Sequence, residues 1–129
     1  MSLKIEIEKR KEGHYVVKLD GRLDTNTAPA CEKKIAPLLV AGTKVVAFDL
    51  EKLDFISSMG LRLVLSVRKA LHAHKGRVVL AGLQPQIADV FEMAEVLPKT
   101  DILETIESGD IFLDAIQRKE TMKDMDVDL

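Results

Sequence analysis

The chain opens on a strict alternation in which Leu3, Ile5 and Ile7 are apolar and Lys4, Glu6 and Glu8 are charged. A period of two predicts a half-buried β-strand. The charged stretch from Lys9 to Gly13 ends in glycine and predicts the turn of a hairpin. His14 to Leu19 supplies the returning strand, with Tyr15, Val17 and Leu19 on one face. After Gly21-Arg22-Leu23-Asp24 the pattern changes to Thr25-Asn26-Thr27 and then Pro29. Capping residues just before a proline announce a helix, since the first turn does not need the N–H that proline lacks. The helix continues from Ala30 to Val40, with Ile35, Leu38 and Leu39 inward, and Gly42 closes the segment. Pro37 removes a helical hydrogen bond and predicts a distortion rather than a break.

Lys44 to Leu50 is almost continuously apolar, as in a central strand covered on at least one face. Gly60 to His74 then reads as a helix whose buried stripe centres on Val64, Val67 and Leu71, flanked by Leu63 and Ala70. Arg62, Ser66 and Lys69 project the other way. Leu61 and Leu65 fall toward the charged side, beside Arg62, Arg68 and His72, and either widen the buried stripe or serve a partner-binding surface. Lys75-Gly76 stops this helix. Arg77 to Ala81 predicts another strand, and Ile87 to Ala94 a short helix with Ile87, Val90 and Phe91 inward, ended by Leu97-Pro98. Asp101 to Leu103 predicts a short edge strand. Ser108 or Asp110 is placed to cap a last helix carrying Ile111, Phe112, Ala115 and Ile116.

These elements describe an α/β domain in the order β-β-α-β-α-β-α-(β)-α, with a mixed sheet of about four to five strands backed by about four helices. One domain is expected over residues 1–118, followed by a flexible acidic tail, 119–129, without periodicity.

Composition narrows the function classes. A net charge of −2 gives no electrostatic reason to expect nucleic acid or anionic lipid as a partner. The single cysteine, Cys31, excludes an internal disulfide and suits a reducing compartment; it reads as a small core residue rather than a reactive thiol. The start of the chain is unlike a signal peptide, and no apolar run approaches the roughly 18 residues of a membrane span. A cytoplasmic protein, monomeric when free, is expected.

The usual enzyme signatures fail one by one. Ile56-Ser57-Ser58-Met59-Gly60 has the glycine of a nucleophile elbow two residues after Ser58, but isoleucine two before it. The histidines that follow, His72 and His74, lie in the helix that Ser58 itself would begin, where they cannot complete a triad. They are two apart, so on a helix they diverge and make a poor metal pair. Asp124, Asp126 and Asp128 imitate the start of a calcium loop without its glycine or bidentate glutamate. Dinucleotide and phosphate-loop glycine motifs are missing as well. No catalytic residue, metal or cofactor is expected.

What remains is Asp54-Phe55-Ile56-Ser57-Ser58-Met59-Gly60-Leu61-Arg62, two hydroxyls where a strand-side loop turns into a helix. Serine there can be a plain N-cap. It can equally carry a phosphate, since the free amides and the dipole at that end favour negative charge. Asp24, Asp49 and Asp54 surround the position with acids, so a phosphate of about −1.5 to −2 charges would be attracted by the helix end and repelled by its neighbours.

Leu53-Asp54-Phe55-Ile56-Ser57-Ser58-Met59-Gly60-Leu61-Arg62 resembles the signature of the STAS family, the anti-sigma-factor antagonists, and Gly21-Arg22-Leu23-Asp24 resembles its second marker. With the element order, the likeness extends over residues 3 to 117. It implies a protein that binds an anti-sigma factor, itself a serine kinase, until the kinase phosphorylates a serine two residues before the motif's glycine; a PP2C-type phosphatase resets it. That serine is Ser58, ahead of Ser57. The same likeness places Asp24, Thr25, Asn26, Met59, Leu61, Arg62 and Leu65 on the partner-binding surface. Where many antagonists have Asp-Ser-[Ser/Thr]-Gly, this chain has Ser57 in place of the acid and Met59 after the acceptor. The family also implies an alternative, a non-switching scaffold subunit of a stress-sensing or lipid- or anion-transport complex.

Overall fold

The computed structural model describes residues 2–94 and 102–103. Its strands are β1 (Leu3–Lys11), β2 (His14–Leu23), β3 (Val45–Ile56), β4 (Arg77–Ala81) and β5 (Ile102–Leu103). Its helices are α1 (Ala28–Ile35), α2 (Ser58–His72) and α3 (Pro85–Ala94). The sheet runs in the order β1-β2-β3-β4-β5. β1 and β2 form the antiparallel hairpin, and every other neighbouring pair is parallel. The mixed sheet and its central β3 agree with the sequence. The final helix and the tail expected near residues 108–129 lie outside the described residues.

Period-two alternation sorts the strands onto two faces. Val17, Leu19, Leu23, Val46, Phe48, Leu50, Val78 and Leu80 pack in one core with Cys31 and Ile35 of α1, Leu63, Val64, Val67 and Leu71 of α2, and Ile87 and Phe91 of α3. The three helices therefore cover the same face. Val16, Val45, Ala47 and Val79 form a second buried cluster on the other face. This two-sided burial explains why β3 reads as continuously apolar rather than alternating.

Several boundaries differ from those expected. β1 continues through Lys11, and the turn is confined to Glu12 and Gly13, because Lys11 still pairs with His14 across a register shift. β2 and β3 both run past Leu19 and Leu50, ending at Leu23 and Ile56. Two register shifts, at Lys18/Asp20 and Gly21/Arg22, let the parallel ladder continue while breaking its alternation. Asp54 consequently sits within β3 rather than in a loop after it. Pro37 does more than distort its helix: α1 ends at Ile35, short of the expected Val40, and Ala36–Leu38 tightens into a 3-10 turn. Cys31 is fully buried, and burial pushes its thiol up to about 12, so it stays protonated at neutral pH.

Candidate functional site

The two marker segments meet because their strands are neighbours in register. Leu23 pairs with Ile56 and Arg22 with Phe55 as β2 and β3 end side by side. The Ser57 amide then donates to the Leu23 carbonyl at 2.9 Å, tying the start of α2 to the end of β2. Gly60 completes this junction. A Cβ there would come within 2.8 Å of both the Leu23 side chain and its carbonyl oxygen, and within 2.9 Å of Ile56. Only glycine lets the first turn of α2 settle so close to both strands.

The two serines, adjacent in the sequence, have different surroundings. Ser57 is the N-cap: its backbone is extended and its Oγ accepts from the Gly60 amide at 3.2 Å. Ser58 is the first helical residue, exposed, and its hydroxyl makes no hydrogen bond to a side chain or the backbone among the described residues. α2 begins two residues earlier than expected, at Ser58 rather than Gly60, because the cap lies at Ser57. Replacing Ser57 by alanine is expected to cost about 1 kcal/mol. Ser58→Ala should stay within about 0.5 kcal/mol, as exposed, uncoupled substitutions do. Urea unfolding of the two variants checks this ordering, and a larger loss for Ser58→Ala would overturn the division of roles.

Asp24 organises the adjoining turn through reciprocal hydrogen bonds with Thr27, the N-cap position of α1, whose own side chain caps no amide of that helix. The Asp24 Oδ1 accepts from the Asn26 and Thr27 amides at 2.9 and 3.0 Å, while its own amide donates to the Thr27 hydroxyl at 2.9 Å. That hydroxyl in turn donates to the Arg22 carbonyl at 2.8 Å. The Thr27 amide is the main reason the Asp24 carboxyl lies below its ordinary value, with smaller contributions from the Asn26 amide, the Thr27 hydroxyl and Arg22. A lowered carboxyl contributes stability above its unfolded value, and that contribution is lost as pH falls through the folded one. Thr25 and Asn26 are exposed at the tip of this turn.

Sequence reasoning missed one contact. The Arg22 guanidinium lies over the Phe55 ring, 4.0 Å from its centroid, with Nε buried and 3.8 Å from the Asp24 carboxylate. Nothing in the linear spacing points to it, since the pair forms only through the β2–β3 register. Phe55, Met59 and Leu65 are the large apolar side chains exposed around the start of α2, at 37%, 40% and 37%. Leu61 packs partly against the core. The two leucines near the charged side therefore divide, Leu61 widening the buried stripe and Leu65 remaining on the surface. Among the described residues no group of three His, Cys, Asp or Glu is placed to hold a metal, and no helix is long and apolar enough to cross a membrane.

Comparison with known proteins agrees with this architecture. The STAS domain family matches residues 5–109. A Bordetella bronchiseptica protein named as an anti-sigma factor antagonist, BtrV, is 37% identical over 86 residues, 67% of this chain and 74% of its own. The anti-sigma-B factor antagonist of Staphylococcus aureus is 31% identical over 93 residues, 72% of this chain and 85% of its own. Among solved structures, the anti-sigma factor antagonist SpoIIAA in its unphosphorylated form superposes with a TM-score of 0.70 at 25% identity, covering 88% of this chain and 98% of that one. With its two markers joined where β2 and β3 end side by side and the family match running across the sheet, the chain belongs to the STAS domain family.

Proposed function

We propose that the protein is an anti-sigma factor antagonist of a partner-switching system, bound to an anti-sigma serine kinase while unmodified and released when that kinase phosphorylates Ser58. The observation that carries this reading is the split between the serines. Ser57 holds the helix, leaving Ser58 with an exposed, uncommitted hydroxyl at the positive end of a 15-residue helix. A kinase can take that hydroxyl without dismantling the cap. The names of the Bordetella and Staphylococcus relatives support its antagonist part.

In this role the chain is a substrate and binding partner rather than an enzyme, and a PP2C-type phosphatase restores the unmodified form. Phosphorylation adds about −1.5 to −2 charges at the start of α2. The helix end stabilises that charge within the protein, while the partner faces a newly anionic surface. Asp24, Thr25 and Asn26 shape one side of the contact, and Met59, Arg62 and Leu65 the other. Leu61 supports it from beneath. A scaffold subunit that never switches needs both serines only as caps, and the free Ser58 hydroxyl does not favour that.

Incubation with the cognate kinase and ATP tests the proposal. One phosphate should be added, and the modified protein should separate from the kinase in gel filtration. A protein left unmodified, or one that stays bound after modification, would refute the switch.

A further inference from the structure

Charge is distributed unevenly along the chain. From Phe55 to Ala88 there are five Lys or Arg residues and no Asp or Glu, so this window carries +5 and the remainder −7 within a total of −2. Much of that positive charge lies on α2. At 100° per residue, its outer surface runs from Met59 through Arg62 and Lys69 to Leu65, and on to His72 and Arg68. All six are exposed. Arg62, Arg68 and Lys69 form no salt bridge among the described residues, whereas exposed lysines of the hairpin do find carboxylates, as Lys9 does with Glu12 at 2.9 Å.

A surface helix normally alternates charge sign to solubilise itself. Here cations flank an exposed leucine, and among the described residues no carboxylate pairs with them. We infer that the outer face of α2 docks an acidic surface of the anti-sigma kinase, with Leu65 and Met59 entering an apolar recess bordered by carboxylates. This rests on the proposed function and specifies the chemistry of its partner. Three cations are few for nucleic acid, where affinity grows with each phosphate neutralised. A membrane-bound helix needs a wide apolar face, and that of α2 is committed to the core. A protein surface with carboxylates around an apolar pocket fits what is left. It also gives phosphorylation its leverage, because charge added at Ser58 repels the same carboxylates that Arg62 attracts.

The test measures association of the cognate kinase with wild type and with the triple variant Arg62→Glu, Arg68→Glu, Lys69→Glu, between about 0.05 and 0.3 M salt. Wild-type association should slow with salt, and the triple variant should associate about tenfold or more slowly at low salt with a flattened dependence. The corresponding triple glutamine variant, free of new repulsion, should fall between them. Equal rates and salt slopes for all three proteins overturn the inference and leave the proposed function standing. If wild type fails to bind the kinase, both fall. Phosphatidylglycerol vesicles and a single-stranded DNA oligomer serve as parallel probes. Binding of either that the charge reversal abolishes assigns the face elsewhere and also overturns the inference.

Discussion

Ser58→Asp is expected to weaken binding to the cognate kinase by about tenfold or more, while Ser58→Ala binds like the wild type and cannot be switched off. An aspartate carries roughly half the charge of a phosphate at neutral pH. Like charges brought together in an interface cost up to several kcal/mol, and about 1.4 kcal/mol already gives a tenfold change. The surroundings of Ser58 separate this loss from simple damage. Its hydroxyl is exposed and makes no hydrogen bond among the described residues, so removing it costs the fold little. A carboxylate at the first helical position interacts favourably with the helix dipole, by about 0.3–1 kcal/mol. Ser58→Asp should therefore unfold at equal or higher denaturant concentration than wild type while binding more weakly. Calorimetric titration against the kinase, paired with urea unfolding, reads both quantities. Wild-type affinity for the aspartate variant would remove the electrostatic basis of the switch.

Gly60→Ala is expected to be the most damaging single methyl in the region, at about 2 kcal/mol. Overpacking costs typically about 1–3 kcal/mol, and two features put this site toward the upper part of that range. The added carbon meets a backbone oxygen, that of Leu23, which cannot rotate away as a side chain can. That oxygen is also the acceptor of the Ser57 amide, so relieving the clash stretches the bond joining α2 to β2. Alanine's advantage in a helix interior, up to about 1 kcal/mol over glycine, offsets only part of this. Urea unfolding measures the loss, and a change under about 0.5 kcal/mol would mean that the junction yields freely. The same shift moves Ser58, so the variant should also be a poorer kinase substrate at temperatures where it remains folded.

Legibility in the sequence followed the physics of each element. β1, β4 and the inner face of α2 were readable because local periodicity determines them: Ile5 alternates with charged neighbours, and Val64, Val67 and Leu71 recur at helical spacing. The distal halves of β2 and β3 were not. Their register shifts at Lys18/Asp20 and Gly21/Arg22 destroy the alternation, and only pairing between the strands keeps them extended. For the same reason Asp54 resembled a loop residue. At the site, a hydroxyl at a helix start was legible from Ser57-Ser58-x-Gly60, but spacing alone could not say which serine caps. That depends on the Gly60 amide reaching the Ser57 oxygen once Leu23 has fixed the height of the helix. The Arg22–Phe55 stack, made by residues 33 apart in sequence, was invisible without the sheet.

These observations converge on the hydroxyl that the fold leaves free. The most direct measurement is residue-level mapping of the phosphate by fragmentation mass spectrometry after reaction with the cognate kinase and ATP. Phosphate on Ser58 alone, with Ser57 unmodified, is the predicted result; phosphate on Ser57, or on neither serine, would contradict it.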